Sequence, residues 1–217
     1  MNSVIIVAGG KGLRMGKEIP KQFLPLHGKP ILFHTLEIFK KTIPNLKIIL
    51  VLPKDEVQRW KNLSKNTAYQ AIPIALGGDS RFDSVKAGLS LIKEGVVGVH
   101  DAVRPLVSPS TIINAFKTAE KRGSAVPVIP LNDSIRKIEG KNSRAVDRTS
   151  YCLVQTPQCF KYDLLQKAYQ VDYTPSFTDD ASVFEAAGHS VQLINGNVEN
   201  IKITTVKDLK IAEVLMR

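Results

Sequence analysis

Strand-sized apolar runs alternate with amphipathic stretches along much of the 217-residue chain. Residues 4–8 (Val-Ile-Ile-Val-Ala) are too short and too continuously apolar for a surface helix. They read as a strand covered on both faces. Residues 47–52 repeat that pattern and stop at Pro53. Residues 71–76 give a third strand, placed near a sheet edge because Pro73 cannot donate to a ladder. Residues 96–100 and 125–129 add two more, and 190–194 and 200–204 a further two. Between them the spacing turns helical. Residues 30–41 carry Ile31, Phe33, Leu36 and Phe39 on an apolar face, with Pro30 in the first turn. Residues 55–65 form a helix with Trp60 inward, and 80–92 align Phe82, Val85, Leu89 and Ile92. Ser110 is the expected cap of a helix bearing Ile112, Ile113, Phe116 and Ala119. Thr205 and Asp208 have the spacing of a capping box and open a last helix.

Strands alternating with helices mean βαβ units. The expected class is α/β, a Rossmann-like, mostly parallel twisted sheet with helices on both faces and right-handed crossovers. The length suits a single domain, 1–217. Residues 133–148 break the rhythm. Two short arms flank Gly140-Lys141-Asn142-Ser143, the chemistry of a hairpin turn. The hairpin has few large apolar side chains to bury, and an isolated hairpin is marginal in water. It is therefore expected to project, over about 132–150, as a β-arm held by another chain.

Composition narrows the class further. Hydrophobic residues at 43% and charged residues at 23% are ordinary for a globular chain and argue against wholesale disorder. Cys152 and Cys159 make neither a disulfide framework nor a Cys-x-x-Cys site, so a reduced, cytoplasmic setting is the expectation. No apolar run approaches the ~20 residues of a membrane helix, and no leader is visible before the first strand. The formal charge of +10 favours anionic partners without choosing among them. Basic and aromatic residues are not interleaved, so neither nucleic acid nor membrane is the expected partner.

The loop after the first strand, Ala8-Gly9-Gly10-Lys11-Gly12-Leu13-Arg14-Met15-Gly16, narrows the choice. Glycines let backbone approach a ligand closely. The carboxyl edge of a parallel sheet is where ligands bind, and backbone N–H groups there can cradle phosphate. A P-loop fails, because aligning on Gly16-Lys17 puts Lys11 at the first glycine and Glu18 at the hydroxyl. A dinucleotide fingerprint fails at Met15, with a one-residue variant left open. Lys11, Arg14, Lys17 and Lys21 beside the turn suit a triphosphate better than a diphosphate bridge. A plain glycine turn with solvated lysines remains the bland alternative.

With Pro20-Lys21-Gln22-Phe23-Leu24 after it, this loop resembles that of the nucleotidyltransferases that activate sugars and polyols, in their cytidylyltransferase branch. Further segments agree, in order: Gly77-Gly78-Asp79-Ser80-Arg81-Phe82-Asp83-Ser84-Val85, His100-Asp101-Ala102-Val103-Arg104-Pro105, Gln155-Thr156-Pro157-Gln158, Thr178-Asp179-Asp180-Ala181-Ser182 and Asn200-Ile201-Lys202-Ile203-Thr204. The resemblance is strongest to the branch acting on 2-C-methyl-D-erythritol 4-phosphate in non-mevalonate isoprenoid biosynthesis. Two departures, Gly9 for a common alanine and Val103 for another, also occur in ribitol 5-phosphate cytidylyltransferases, which are the alternative. The segment Asp79–Val85, the Thr178 segment and Val146-Asp147-Arg148 lean back to methylerythritol phosphate. A dinucleotide-binding oxidoreductase is the remote alternative.

The resemblance implies an acceptor phosphate attacking the α-phosphorus of CTP, with pyrophosphate leaving. It implies that Arg14 and Lys21 stabilise the transition state, while Arg148 and Lys202 complete the catalytic set by orienting the acceptor. Ala8, Gly9, Gly10, Lys11, Gly12, Gly78, Asp79, Ser84 and Ala102 would hold the nucleotide. Asp101, Arg104, Ser134, Arg148, Thr156 and Lys202 would hold the acceptor. Asp101 would also bind Mg²⁺ or another divalent cation, directly or through water. The arm would reach the neighbouring subunit of a homodimer, bringing Arg148 to its site. His100 is expected to be a structural hydrogen-bonding residue, not a base.

Overall fold

Side-chain alternation along two central strands separates the core into two layers. In β1 (Ser3–Val7), Val4 and Ile6 enter one layer and Ile5 the other. In β4 (Lys47–Leu52), Ile48, Leu50 and Leu52 join the first layer, and Ile49 and Val51 the second. Both faces of each strand are therefore covered, which explains their unbroken apolar sequences. The computed structural model describes residues 1–9 and 19–216.

Between these strands lie a two-residue pair, β2 (Pro25–Leu26) and β3 (Lys29–Pro30), and helix α1 (Ile31–Thr42). Then come α2 (Val57–Ser64), β5 (Ile74–Leu76), α3 (Arg81–Leu89), β6 (Val96–Asp101), α4 (Pro109–Arg122) and β7 (Ser124–Pro130). A hairpin follows, β8 (Ile135–Glu139) with β9 (Asn142–Val146), turning at Gly140 with φ 64°. The remainder is β10 (Cys152–Val154), β11 (Gln158–Lys161), α5 (Tyr162–Ala168), α6 (Asp180–Ala186), β12 (Leu193–Asn195) and α7 (Val206–Leu215). The main sheet runs β10-β7-β11-β6-β1-β4-β5, with β12 added on β7. β1, β4, β5 and β6 are mutually parallel, and β12 is parallel to β7.

The α/β expectation holds, with helices on both faces. Leu32, Leu36, Phe39, Ile112 and Phe116 from α1 and α4 pack in the first layer. Phe82, Val85, Leu165 and Phe184 from α3, α5 and α6 pack in the second. Trp60 is buried with an edge-on contact to Phe33 at 5.6 Å; β5 lies at the sheet edge as expected but is only Ile74–Leu76, starting after Pro73 and not at residue 71.

Three local expectations need correction. The α4 cap is Ser108, not Ser110: its hydroxyl accepts from Thr111 N–H at 3.1 Å, and Pro109 takes the first helical position. Proline is favoured there because that N–H has no helical partner anyway. Residues 200–204 are not a strand. Ile203 N–H reaches Val103 O at 2.9 Å and the Arg104 side chain reaches Asn200 O at 2.7 Å, so one isolated backbone bond and a side chain hold this segment in place of a ladder. The strand expected at 190–194 is three residues at 193–195. Beyond these, β10, β11, α5 and α6 had no sequence expectation, and β11 runs antiparallel between β6 and β7.

A third apolar cluster joins Leu24, Leu26, Ile31, Val103, Ile203 and Ala212, seating α7 against the segment that carries Lys202. The Thr205 hydroxyl accepts from Asp208 N–H at 3.2 Å, and Asp208 accepts from Thr204 and Thr205 N–H in return. Replacing Thr205 with Ala should cost about 1 kcal/mol, the usual worth of such a cap. Denaturant unfolding measures it, and an unchanged midpoint would mean that the cap does not anchor α7.

Candidate active site

Two adjoining cavities open at the carboxyl ends of the central parallel strands β1 and β6, where ligands bind in folds of this kind. The larger is about 470 Å³ and the smaller about 260 Å³. Ala8, Gly9 and Lys21 line the larger with Gly78, Asp79, Ser84 and Ala102. Arg104 and Thr156 line the smaller with Gln158, Thr178 and Asp179. Arg81, Asp101 and Lys202 line both.

Each wall has a local cause. Lys21 begins a single 3₁₀ turn, Lys21–Phe23, whose buried Gln22 donates to Ala8 O at 2.9 Å and so ties it to the end of β1. The opposite wall is the start of α3, where Ser80 and Asp83 form a reciprocal capping box. That cap fixes the backbone so tightly that a Cβ on Gly78 would lie 2.4 Å from Asp83 Cβ. A Cβ on Gly9 would lie 3.3 Å from the Ser84 hydroxyl, so glycine lets the two walls approach. Ala102 N–H bonds Val7 O at 3.0 Å, extending β6 beside β1.

Asp101 sits at the junction, 8% exposed. Its Oδ2 is 3.1 Å from Arg104 Nε and 3.1 Å from Lys202 Nζ. Burial alone would raise this carboxyl, but Lys202, Arg81 and Arg104 outweigh it and hold it well below the usual carboxylate range. Among the described residues no three His, Cys, Asp or Glu side chains cluster as a metal cage. One carboxylate whose ion pairs both fall on Oδ2 fits Mg²⁺, which keeps waters and substrate phosphates among its ligands.

His100 is fully buried, and its partners fix its tautomer. Nε2 lies 3.0 Å from Arg104 O, which can only accept, so Nε2 carries the proton. Nδ1 then accepts from the Thr156 hydroxyl at 3.0 Å, and that hydroxyl accepts from Asp101 N–H at 3.1 Å. The ring thus holds Asp101, Arg104 and Thr156 in register, the structural role expected of it. Burial pushes its pKa down to about 4.

Arg81 was missed by sequence reasoning. It donates to both carboxylate oxygens of Asp180, at 2.9 and 2.6 Å, and Asp180 is fully buried. Burial opposes the arginine's charge, yet Asp180 outweighs it and raises the pKa. Its only sequence signal was its place inside the Gly77–Val85 motif. Gln22 and Gln158 were likewise motif members without an assigned task. Gln158 secures the start of α6, donating to Asp179 at 2.8 Å and accepting from Ala181 N–H at 2.9 Å.

Not every expected site residue meets the others. Gly10, Lys11, Gly12 and Arg14 lie outside the described residues. Ser134 and Arg148 are exposed at the base of the hairpin and line neither cavity; Arg148 instead bonds Asn132 O.

A mostly parallel α/β sheet with a glycine-walled cleft, and cations converging on one carboxylate at the carboxyl edge of its parallel strands, is an arrangement that suits a nucleotidyltransferase. The sequence profile of the family "2-C-methyl-D-erythritol 4-phosphate cytidylyltransferase" matches residues 2–217. Proteins of that name from Bacteroides thetaiotaomicron and Phocaeicola vulgatus are 51% and 53% identical over 216 residues, covering 99% and 98% of each chain. The crystal structure of 4-diphosphocytidyl-2C-methyl-D-erythritol synthase from Anaerococcus prevotii is similar, with a TM-score of 0.85 at 27% identity over 100% of this chain and 96% of that one. The Thermus thermophilus cytidylyltransferase structure gives 0.79 at 29% identity over the whole of both chains. The chain belongs to the 2-C-methyl-D-erythritol 4-phosphate cytidylyltransferase family.

The His100 geometry sets a pH dependence. The folded pKa of about 4 lies below the free value of 6.5, so the unfolded chain binds more protons between them. This contribution is full above pH 6.5 and is lost as pH falls toward 4, with a slope of up to about 1.4 kcal/mol per pH unit. Urea unfolding of the wild type and His100→Gln between pH 5 and 7 should show the slope reduced in the variant. Equal slopes would mean that His100 is not held neutral.

Proposed function

We propose that the chain joins CTP to 2-C-methyl-D-erythritol 4-phosphate. The acceptor's phosphate oxygen attacks the α-phosphorus of CTP, the bond to the β-phosphate oxygen breaks, and CDP-methylerythritol and pyrophosphate form. The observation that carries this reading is the pair of cavities sharing Arg81, Asp101 and Lys202 at their boundary. One has room for a nucleotide and the other for a small phosphorylated polyol, with the reacting groups meeting between them. The family relatives named above act on this acceptor by their names, which supports it over ribitol 5-phosphate.

The nucleophile is an anion at neutral pH, so the reaction needs no general base. Its barrier lies in bringing anions together in line, which calls for placed cations. On this reading Gly78, Asp79 and Ser84 hold the cytosine, with Ala8 and Gly9 beside it. Gly9, Gly10, Lys11 and Gly12 cradle the triphosphate. Arg14 and Lys21 neutralise charge at the α-phosphate and the leaving pyrophosphate, and Lys202 orients the acceptor phosphate. Asp101, Arg104 and Thr156 hold the rest of the acceptor. Asp101 would also hold Mg²⁺, which supplies charge neutralisation on the phosphates when bound.

The hairpin is read as an arm that completes the partner's site in a homodimer, carrying Ser134 and Arg148 there. Exposed apolar side chains support this: Ile138 on the arm, and Tyr151, Leu153 and Val154 on and beside the terminal strand β10. A cytoplasmic setting suits the two free cysteines, and no helix among the described residues is long and apolar enough to cross a membrane.

With CTP and Mg²⁺, pyrophosphate release should follow addition of 2-C-methyl-D-erythritol 4-phosphate and be much slower with ribitol 5-phosphate. The reverse preference would overturn the acceptor assignment. Lys21→Ala and Arg14→Ala should each lower turnover about 100-fold or more with the circular dichroism spectrum unchanged, as for loss of a transition-state donor. Turnover close to wild type in either would remove that residue from the chemistry. Mixing Arg148→Ala with Lys21→Ala subunits should restore part of the activity, because one site of the mixed dimer is then intact. No recovery, with exchange of subunits verified, would mean that each site is self-contained.

A further inference from the structure

Arg81 is the one residue at the boundary of the two cavities whose task the preceding reading leaves open, and it is tethered from behind. Asp180 accepts from both of its terminal nitrogens, and Tyr169 donates its hydroxyl to Asp180 Oδ1 at 2.6 Å. Asp180 and Tyr169 are 0% and 1% exposed, and the Tyr169 ring stacks on Phe82, the residue after Arg81, at 4.8 Å. The Arg81 side chain itself is 26% exposed. A long arginine side chain is costly to hold still, and a planar bidentate pair is the arrangement that fixes a guanidinium's position and plane.

The pair also joins the walls. Arg81 follows Gly78, Asp79 and Ser80 of the larger cavity, whereas Asp180 follows Thr178 and Asp179 of the smaller. Of the five guanidinium N–H donors, Asp180 takes two and three remain. Asp180 pairs with the arginine's charge at close range, and although Arg81 still helps to keep Asp101 ionised, what it can offer a ligand is chiefly its directed donors. Such donors suit hydroxyl oxygens, while on the proposed reading Arg14, Lys21 and Lys202 meet the phosphates.

We propose that Asp180, steadied by Tyr169, is a positioning residue that holds Arg81 at the cavity boundary, where its remaining donors bind hydroxyl groups of the polyol acceptor. This rests on the reading of the smaller cavity as the acceptor's. The pair then sets how the acceptor lies when its phosphate meets the nucleotide, and it contributes little to holding CTP.

The test is steady-state kinetics of Asp180→Asn, Arg81→Lys, their double variant and Tyr169→Phe, with thermal unfolding of each. Asp180→Asn removes the charge with little change of shape, and Arg81→Lys keeps charge but loses the fork. Each should lower kcat/KM for 2-C-methyl-D-erythritol 4-phosphate by about tenfold or more, with KM for CTP within about twofold of wild type. The double variant should be no worse than the poorer single, because both break one unit. Tyr169→Phe should shift the same parameter less and in the same direction. If Asp180→Asn does not fold, Arg81→Lys and Tyr169→Phe decide by the same parameters. Lower melting temperatures with unchanged acceptor kinetics would overturn the proposal, as would losses that multiply in the double variant or fall equally on CTP. The reading beneath it fails separately, by absence of acceptor-dependent pyrophosphate release in the wild type.

Discussion

The site depends on keeping one buried carboxylate charged. Asp101 lies at the end of a central strand, where loss of hydration by itself pushes its pKa up and works against its charge. Cations from three separate parts of the chain reverse that. Arg81 comes from the start of α3, Arg104 from the turn after β6, and Lys202 from the segment seated by α7. Each is fixed by something else in turn: Arg81 by Asp180, Arg104 by Asn200 O, and the Lys202 segment by Val103 and the third apolar cluster. Charges arranged in this way are in place before substrate arrives, which is what displacement at phosphorus requires of a protein.

The surrounding polar network has a matching logic. His100, Thr156 and the Asp101 backbone form a chain of hydrogen bonds in which every donor and acceptor is assigned. A ring held neutral at physiological pH adds no positive charge to a site already rich in it. It also cannot take a proton readily, so its value is geometric. Asn200 extends the network, donating to Thr156 O at 2.8 Å while its own carbonyl receives Arg104. The side of the site around Arg104 and Thr156 is therefore built as one hydrogen-bonded unit around β6.

The strand-and-helix order up to β7 was legible because buried strands leave unbroken apolar runs and covered helices leave a stripe. Residues 149–189 were not legible. β10 and β11 are three and four residues long, and Gln158 belongs to a strand although its side chain serves α6. Residues 200–204 misled in the opposite sense: β-branched residues alternate there, but one isolated backbone bond, a side chain and a small apolar cluster hold the segment in place of a ladder. In the site, Gly9 and Lys21 could be singled out because their chemistry is local to the loop after β1, and Lys202 through the resemblance alone; the structure places all three at the cavities. Arg81 could not, because its meaning lies in a partner 99 residues away. Asp180 likewise stood only as a member of the Thr178–Ser182 motif, with no task of its own.

On the proposed function, the carboxyl edge of β1 and β6 is where a nucleotide meets a second phosphorylated molecule. A crystal structure of the protein with CTP and Mg²⁺ would show whether it does. The cytosine should lie against Gly78, Asp79 and Ser84 and the triphosphate by Gly9 and Lys21, with the cavity beside Arg104 and Thr156 left open for the acceptor. Nucleotide bound at another surface, with Asp101 and its cations facing only solvent, would contradict that function.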